Sequence, residues 1–340
     1  MLTIDGSFGE GGGQILRTAL ALSLLTGQPL RLERIRARRE KPGLRQQHLT
    51  AVNAATQISG ARVTGAALTS QTLTFEPGRV QPGAYEFDVG TAGSTTLVLQ
   101  TILPPLLLAD RPSTLVLKGG THNPLAPPFD FLEQAFLPLV ERMGPSVQVR
   151  LERCGFYPAG GGIVTVRVEP VARLAPLDLR ERGRLHGIRA RALVARLPRH
   201  IAERELQTVR AGLGLNDEQL EVVDIADTAG PGNVVTIAVA SAEVTEVFTG
   251  FGIRGRPAER VAQEVVRQVR DYLDAGVPVG PYLADQLLLP LALAGGGALL
   301  TVPPTPHSTT NIEVIRRLVP VSITAAQVDE RACLLEVANR

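Results

Sequence analysis

The chain has 340 residues, 44% of them hydrophobic and 20% charged, a composition that suits a globular protein with a sizeable core and excludes a disordered or fibrous one. Its 35 basic and 33 acidic residues leave a formal net charge of only +2, so no global basic field announces a nucleic-acid binder and any polyanion site has to be local. Cys154 and Cys333 lie far apart and make neither a zinc motif nor a disulfide framework, which points to a reducing cytoplasm.

In chain order, Met1-Leu2-Thr3-Ile4-Asp5-Gly6 carries no basic or apolar leader region, so export is not expected. Gly11-Gly12-Gly13 precedes an apolar helix predicted over Ile15 to Leu25, and Gly27 leads into a strand over Leu30 to Ile35. A loop with Pro42-Gly43 follows. Leu49, Val52, Ala55 and Ile58 recur at helical spacing and predict a second helix over Gln46 to Ile58, with short strands near Val63 and Leu73. The same order returns from Gly93: helix Thr95 to Leu108, strand Thr114 to Leu117, the loop Gly119 to Pro124, helix Phe129 to Met143, and strands near Val147 and Val164. It returns again from Gly280: helix Leu283 to Ala294, a turn at Gly295 to Gly297, strand Ala298 to Val302, the loop Pro303 to Ser308, and helix Asn311 to Leu318. Two apolar runs, Leu97 to Ala109 and Leu287 to Leu300, are too short to span a bilayer and read as buried helices.

These recurrences predict three βαβαββ units in an α/β (α+β) fold. From Gly12 to Gly93 is 81 residues but from Gly93 to Gly280 is 187, so roughly 100 residues are inserted between the second and third units. The guest segment reads as strand Ile188 to Leu197, helix His200 to Leu213, strands near Val222, Val235 and Val247, and helix Glu259 to Leu273. Turn clusters at Arg180 to Gly183 and Asp274 to Pro278 suit an insertion. The expected organisation is therefore a repeat domain of residues 1–183 and 277–340 around an inserted α/β domain of residues 184–276.

Several positions could carry chemistry. Glu10 sits in Gly9-Glu10-Gly11-Gly12-Gly13-Gln14 at a helix entrance, where glycines admit a phosphate, the helix N-terminus favours an anion, and a carboxylate suits a divalent metal; a turn that needs positive φ is the plainer reading. The segment matches neither a Walker A nor a dinucleotide motif. Arg34, Arg36, Arg38, Arg39, Lys41 and Arg45 form the densest basic run. On a strand, Arg34, Arg36 and Arg38 would share one face and line a phosphate groove, or else form a solvated edge. Gln100 is the one amide in an apolar helix and needs hydrogen-bond partners. Tyr282-Leu283-Ala284-Asp285-Gln286 puts a ring, a carboxylate and an amide in one helical turn, a set suited to a nucleotide, although Asp285 could equally answer the helix dipole. His307 follows Pro303, Pro304 and Pro306, which stiffen its loop, and precedes Ser308, Thr309, Thr310 and Asn311, several of which could cap the next helix. It is one of five histidines, with His48, His122, His186 and His200, and a loop histidine is also compatible with a structural role.

Gly9 to Arg17, Lys41-Pro42-Gly43-Leu44, Gly155 to Gly162, Tyr282 to Gln286 and His307 to Asn311 together give the chain, along nearly its whole length, a resemblance to the RNA 3'-terminal phosphate cyclases. One signature position departs: Cys154 stands where a basic residue usually precedes the first glycine, with Arg153 one place earlier.

The resemblance implies a nucleophile at His307 that attacks the α-phosphate of ATP, releases pyrophosphate and carries AMP through a phosphoramide bond. The AMP would pass to an RNA 3'-phosphate, and the neighbouring 2'-hydroxyl would close a 2',3'-cyclic phosphate and expel AMP. It also implies that Gln100, Tyr282, Leu283, Ala284, Asp285 and Gln286 contact ATP, with Tyr282 and Pro127 flanking the adenine. Arg17, Arg36, Arg39 and Gln47 would receive phosphates, and Glu10 would hold magnesium or manganese. The fold implied is three units like the C-terminal domain of translation initiation factor three. Its partners are RNA 3'-phosphate ends, with no membrane, while the oligomeric state stays open. Two rivals share related folds: a cyclase-like ribosome-assembly protein without the nucleophile, and an enolpyruvyl-type transferase. The absence of tryptophan and an aromatic content of 4% argue against an extended base-stacking platform.

Overall fold

Glycine and short polar caps set the helix ends in a computed structural model that describes residues 1–340. In chain order, β1 (Leu2–Asp5) leads to α1 (Gly13–Thr26), which stops where Gly27 turns left-handed and donates its N–H to Ser23 O. Then come β2 (Leu30–Glu33), α2 (Gln46–Gln57), β3 (Arg62–Thr64), β4 (Leu73–Glu76) and β5 (Ala84–Asp88). Helix α3 (Thr95–Leu107) is capped by Ser94, whose hydroxyl accepts from Leu97 N. Next are β6 (Ser113–Gly119), α4 (Phe129–Phe131), a π turn (Leu132–Phe136) running into α5 (Leu137–Arg142), β7 (Ser146–Arg153), β8 (Gly162–Glu169) and β9 (Leu177–Leu179). Then follow β10 (Leu185–Ala195), α6 (His200–Leu213), β11 (Leu220–Ile225), β12 (Gly232–Ser241), β13 (Thr245–Phe251) and α7 (Ala258–Ala275). The chain closes with α8 (Pro281–Ala294), β14 (Gly296–Thr301), α9 (Pro306–Leu318), β15 (Val321–Gln327) and β16 (Cys333–Asn339).

The architecture is mixed α/β with four four-stranded sheets. Three share one pattern of strand neighbours: β1-β2-β4-β3, β5-β6-β8-β7 and β9-β14-β16-β15. In each, the first two strands run parallel, as a helical crossover requires. The fourth sheet, β11-β10-β12-β13, comes entirely from the stretch between β9 and α8. Because β9 pairs with β14 across that stretch, the extra segment follows the first strand of the third sheet and does not precede the whole third unit.

Helices α1, α3 and α8 are apolar almost all round and are buried, α1 packing against both α3 and α9. By contrast α7 buries a single stripe, Val261, Val265, Val266, Val269 and Tyr272, against β12 and β13. The core accordingly divides into one large body and a smaller one formed by β10 to α7.

Three local expectations give way. The run Leu287 to Leu300 is not one helix, because left-handed Gly295 ends α8 and β14 starts at once. Strand β2 ends at Glu33: Arg34 and Arg36 have φ of 52° and 53°, and Ala37 N and Arg39 N close turns onto Arg34 O and Arg36 O. Arg34, Arg36 and Arg38 therefore share no strand face; burial of Ile35 and pairing of Arg36 N with Gly6 O bend the chain instead. Finally, α9 begins at Pro306 and is capped by Thr305, whose hydroxyl accepts from Ser308 N at 3.2 Å. His307 thus lies within the first helical turn, as proline at the first position allows.

Candidate active site

Buried polar residues converge where α1, α3, α8 and α9 meet. Gln14, Arg17 and Thr18 follow i, i+3, i+4 spacing and form a polar stripe on an otherwise apolar helix. Gln14 Nε2 donates to both oxygens of Asp285, at 2.8 and 3.0 Å. Arg17 Nε donates to Gln100 Oε1 at 2.6 Å, and Gln100 Nε2 donates to Gln286 Oε1 at 2.8 Å. Thr18 donates to Asn311 Oδ1 at 2.9 Å, and Asn311 Nδ2 donates to Asp285 O at 3.2 Å. Asp285, 5% exposed, also lies 3.0 Å from His307 Nδ1. On the other side of the ring, Nε2 faces Glu10 Oε2 at 3.6 Å, and 39% of the histidine side chain is open to solvent.

Backbone fit holds Glu10 there. Gly9 has φ of 53°, and a Cβ on it would collide with Thr310 Oγ1; Glu10 N donates to that same hydroxyl at 3.1 Å. Arg39 NH2 donates to Glu10 O at 3.1 Å and pairs with its carboxylate. Arg36 is turned inward, donating to Lys41 O and Gly43 O at 2.7 and 2.8 Å, so it shapes the basic loop. Gln47 Oε1 accepts from Ser94 N at 3.2 Å and joins α2 to the entrance of α3.

Burial and charge set the protonation of this cluster. Burial drives Arg17 down to about 10 against the opposing charges of Asp285 and Glu10. Burial also takes His48 down to about 3, helped by Arg17, Arg36 and Arg45, so it is a neutral ring accepting Arg45 N at Nδ1. A Cβ on Gly13 would strike His48 Nε2, so glycine there lets the ring close behind α1. For His307 burial alone would lower the pKa, but the hydrogen bond and charge of Asp285, joined by Glu10, hold it above the ordinary value.

A cleft beside the network is lined by Gln100, Pro127, Asp285 and Gln286 together with Phe131 and Phe136, and encloses ≈ 40 Å³, room for a few waters. A purine needs its walls to separate. Of the residues expected on this cleft, Tyr282 does not line it and is 68% exposed. Leu283 and Ala284 are absorbed into the apolar core, because α8 turns that side inward. The remaining four are gathered here.

The glycine-rich segment between β7 and β8 packs on β10 and β12 of the fourth sheet. Cys154 is buried with Phe156, Leu193, Ala195 and Val234, while Arg153 Nε donates to Gly161 O at 2.6 Å. Its neighbour His122 is sealed between Thr121 Oγ1 and Asp130 Oδ2, 2.8 Å from each. Glu246, on β13, accepts the N–H of Gly280 at the entrance of α8 and so ties the fourth sheet to the helix bearing Asp285.

Gln14 and Asn311 belong to this network and His48 closes behind it; in the sequence Gln14 and His48 carry no individual role and Asn311 only a capping one. The signal for Gln14 was available in the i, i+3, i+4 stripe it forms with Arg17 and Thr18. His48 left no such trace, since its position depends on Gly13 thirty-odd residues away.

The arrangement places an accessible imidazole nitrogen beside one carboxylate and several guanidinium and amide donors, a site equipped for nucleophilic group transfer to phosphorus. The family model described as RTC: RNA 3'-terminal phosphate cyclase matches residues 8–325. RNA 3'-terminal phosphate cyclases of Koribacter versatilis, Ectopseudomonas mendocina and Pseudomonas fluorescens are 55%, 51% and 54% identical over 340, 336 and 331 residues. These alignments cover 100%, 99% and 97% of this chain and 96%, 98% and 96% of the relatives. The chain belongs to the RNA 3'-terminal phosphate cyclase family.

No helix is long and apolar enough to cross a membrane, and no three His, Cys, Asp or Glu side chains converge to hold a metal. Glu10 is a single part-exposed carboxylate that faces His307 Nε2 and pairs with Arg39.

Proposed function

We propose that this protein converts an RNA 3'-terminal phosphate to a 2',3'-cyclic phosphate at the expense of ATP, through a covalent His307–AMP intermediate and an adenylylated RNA end, releasing AMP and pyrophosphate. The observation that carries this reading is His307 in the first turn of α9, with Nδ1 on Asp285 and Nε2 open toward Glu10.

In the neutral ring Nδ1–H donates to Asp285, which leaves the lone pair on Nε2. Nε2 attacks the α-phosphorus of ATP; the N–P bond forms, the bond to the bridging oxygen breaks, and pyrophosphate leaves. The imidazolium so formed is stabilised by Asp285. An oxygen of the RNA 3'-phosphate then attacks the same phosphorus and the P–N bond breaks, restoring the ring. The adjacent 2'-hydroxyl attacks the terminal RNA phosphorus, loses its proton to solvent and expels AMP.

In this reading Gln100, Pro127, Asp285 and Gln286 receive the nucleotide, and Tyr282 meets the adenine only if the cleft opens toward it. Arg17, Arg39, Arg36 and Gln47 serve the phosphates, Arg36 and Gln47 chiefly through the loops they hold. Magnesium or manganese, held by Glu10, would offset triphosphate charge. We also read the three like-ordered sheets with their helices as three copies of one βαβαββ unit, of the type in the C-terminal domain of translation initiation factor three. On that view residues 1–183 and 277–340 are the catalytic repeat region, residues 184–276 are an inserted α/β domain, and the protein works in the cytoplasm.

Incubation with α-labelled ATP and magnesium tests the scheme: wild-type protein becomes covalently labelled and His307→Ala does not. Equal labelling of the variant sinks the assignment of the nucleophile. An RNA 3'-phosphate that stays sensitive to phosphatase throughout sinks the assignment of the substrate.

A further inference from the structure

Phe8 is an aromatic residue that the fold does not use. It is 42% exposed and joins none of the buried apolar clusters. It stands in the turn after β1, where its N–H donates to Asp5 O at 3.3 Å and its carbonyl accepts from Gly11 N at 2.8 Å. Its contact with a side chain of note is cationic: the Arg317 guanidinium carbon lies 6.0 Å from the ring centroid.

This turn runs along one side of α9. Glu10 N donates to Thr310, one helical turn beyond His307, and Phe8 reaches Arg317, two further turns along. Glu10 therefore marks the His307 end of the track and Phe8 the far end. Two residues of chain span at most about 7 Å, the scale of one nucleotide. Guanidinium groups border it: Arg39 paired with Glu10, Arg34 paired with Asp5, and Arg317 against the Phe8 ring.

The direction of the chemistry selects this track. In displacement at phosphorus the entering and leaving oxygens lie roughly in line, so the oxygen that breaks the P–N bond enters from the side on which pyrophosphate left. Nε2 looks toward Glu10 and Arg39, whereas the nucleotide cleft lies beyond Asp285. An RNA end arriving with its phosphate at Glu10 and Arg39 leads its upstream nucleotides away past Phe8.

We propose that Phe8, backed by Arg317, is a stacking surface for one base of the RNA substrate, one or two nucleotides upstream of the 3'-phosphate. The assignment rests on the RNA reading of the site. Stacking on a single ring accepts any base, which makes this contact an aid to affinity that reads no sequence.

The test uses the full chain, RNA 3'-phosphate oligonucleotides carrying a single abasic position at each of the last four nucleotides, and self-labelling with ATP alone. Phe8→Ala raises KM for the intact oligonucleotide about tenfold and Arg317→Ala about threefold, with self-labelling unchanged, and Phe8→Trp restores KM. One upstream abasic position costs the wild type the same factor and costs Phe8→Ala nothing further. An unchanged KM in Phe8→Ala, an identical abasic profile in both proteins, or loss of self-labelling in Phe8→Ala overturns the proposal; the last would mean that Phe8 supports the Glu10 turn. Wild-type protein that labels itself yet cyclises no oligonucleotide overturns the RNA reading itself.

Discussion

Two histidines that follow the second strand of their sheets each pair with an aspartate, His122 in the loop after β6 and His307 in the first turn of α9 after β14. His122 lies 2.8 Å from Asp130 and His307 lies 3.0 Å from Asp285. In the first pair the ring is 0% exposed, its other nitrogen meets Thr121, its face tilts on Phe156, and Arg191 approaches the aspartate at 3.6 Å. In the second, the ring is 39% exposed and its other nitrogen faces only Glu10. The same pairing thus makes a structural clamp where both nitrogens are spent, and leaves an accessible nitrogen where one is not. Burial would raise Asp130, yet the hydrogen bond and charge of His122, with Arg191, keep it below the usual carboxylate range.

Substitution should separate the two pairs sharply. His307→Ala should lower covalent labelling by a factor on the order of 10⁴ or more, whereas His122→Ala should leave labelling per folded molecule unchanged while costing about 3–5 kcal/mol of stability by stranding a buried carboxylate. Denaturant titration beside labelling reads both; loss of labelling in folded His122→Ala protein would erase the distinction.

Asp285→Asn should slow self-adenylylation on the order of 10³-fold by releasing the tautomer. It should also move the acid limb of the pH–rate profile to lower pH, because Asp285 is the main influence that raises His307. An unmoved limb would show that the limb belongs to another group. Arg39→Ala, which frees Glu10 but removes a charged donor, should raise the KM for ATP or RNA about tenfold without a change in melting temperature. Unaltered kinetics would return the basic loop to a solvated edge.

The smallest effect concerns Glu246. Burial holds it protonated up to about 8 in the folded chain, against an ordinary value of 4.5. The folded state therefore keeps a proton that the unfolded state releases, and stability falls as pH rises between those values. Glu246→Gln keeps an acceptor for Gly280 and carries no proton. Part of the fall in melting temperature between about pH 5 and pH 8 should disappear, and a wild-type slope in the variant would show that Glu246 does not set it.

Much of this was legible locally. Helical spacing placed α2, α3 and α6 within a residue or so, because caps such as Ser94 and left-handed Gly214 mark the ends in sequence. Glu10 stands out in a glycine-rich segment, Gln100 as the one amide of an apolar helix, Asp285 beside a ring and an amide in one helical turn, and His307 through the family resemblance; hydrogen bonds and close approaches link all four. The basic run was misread because alternation suggests a strand to the eye, whereas Ile35 is drawn into the core and the arginines on either side take positive φ. Contiguity in sequence groups Leu283 and Ala284 with Asp285 and Gln286, but a helix presents only some of each turn to one side and these two face the core.

By itself the sequence determined the family, the mixed α/β class and the recurrence of elements, since periodicity, glycine ends and motifs are local and survive without coordinates. Only the tertiary structure decided which of two histidines keeps a free nitrogen, that Gln14 and Asn311 steady Asp285, and that the fourth sheet follows β9. Each of those depends on which helices lie side by side, and a buried polar group takes its role from the partners that packing brings within reach.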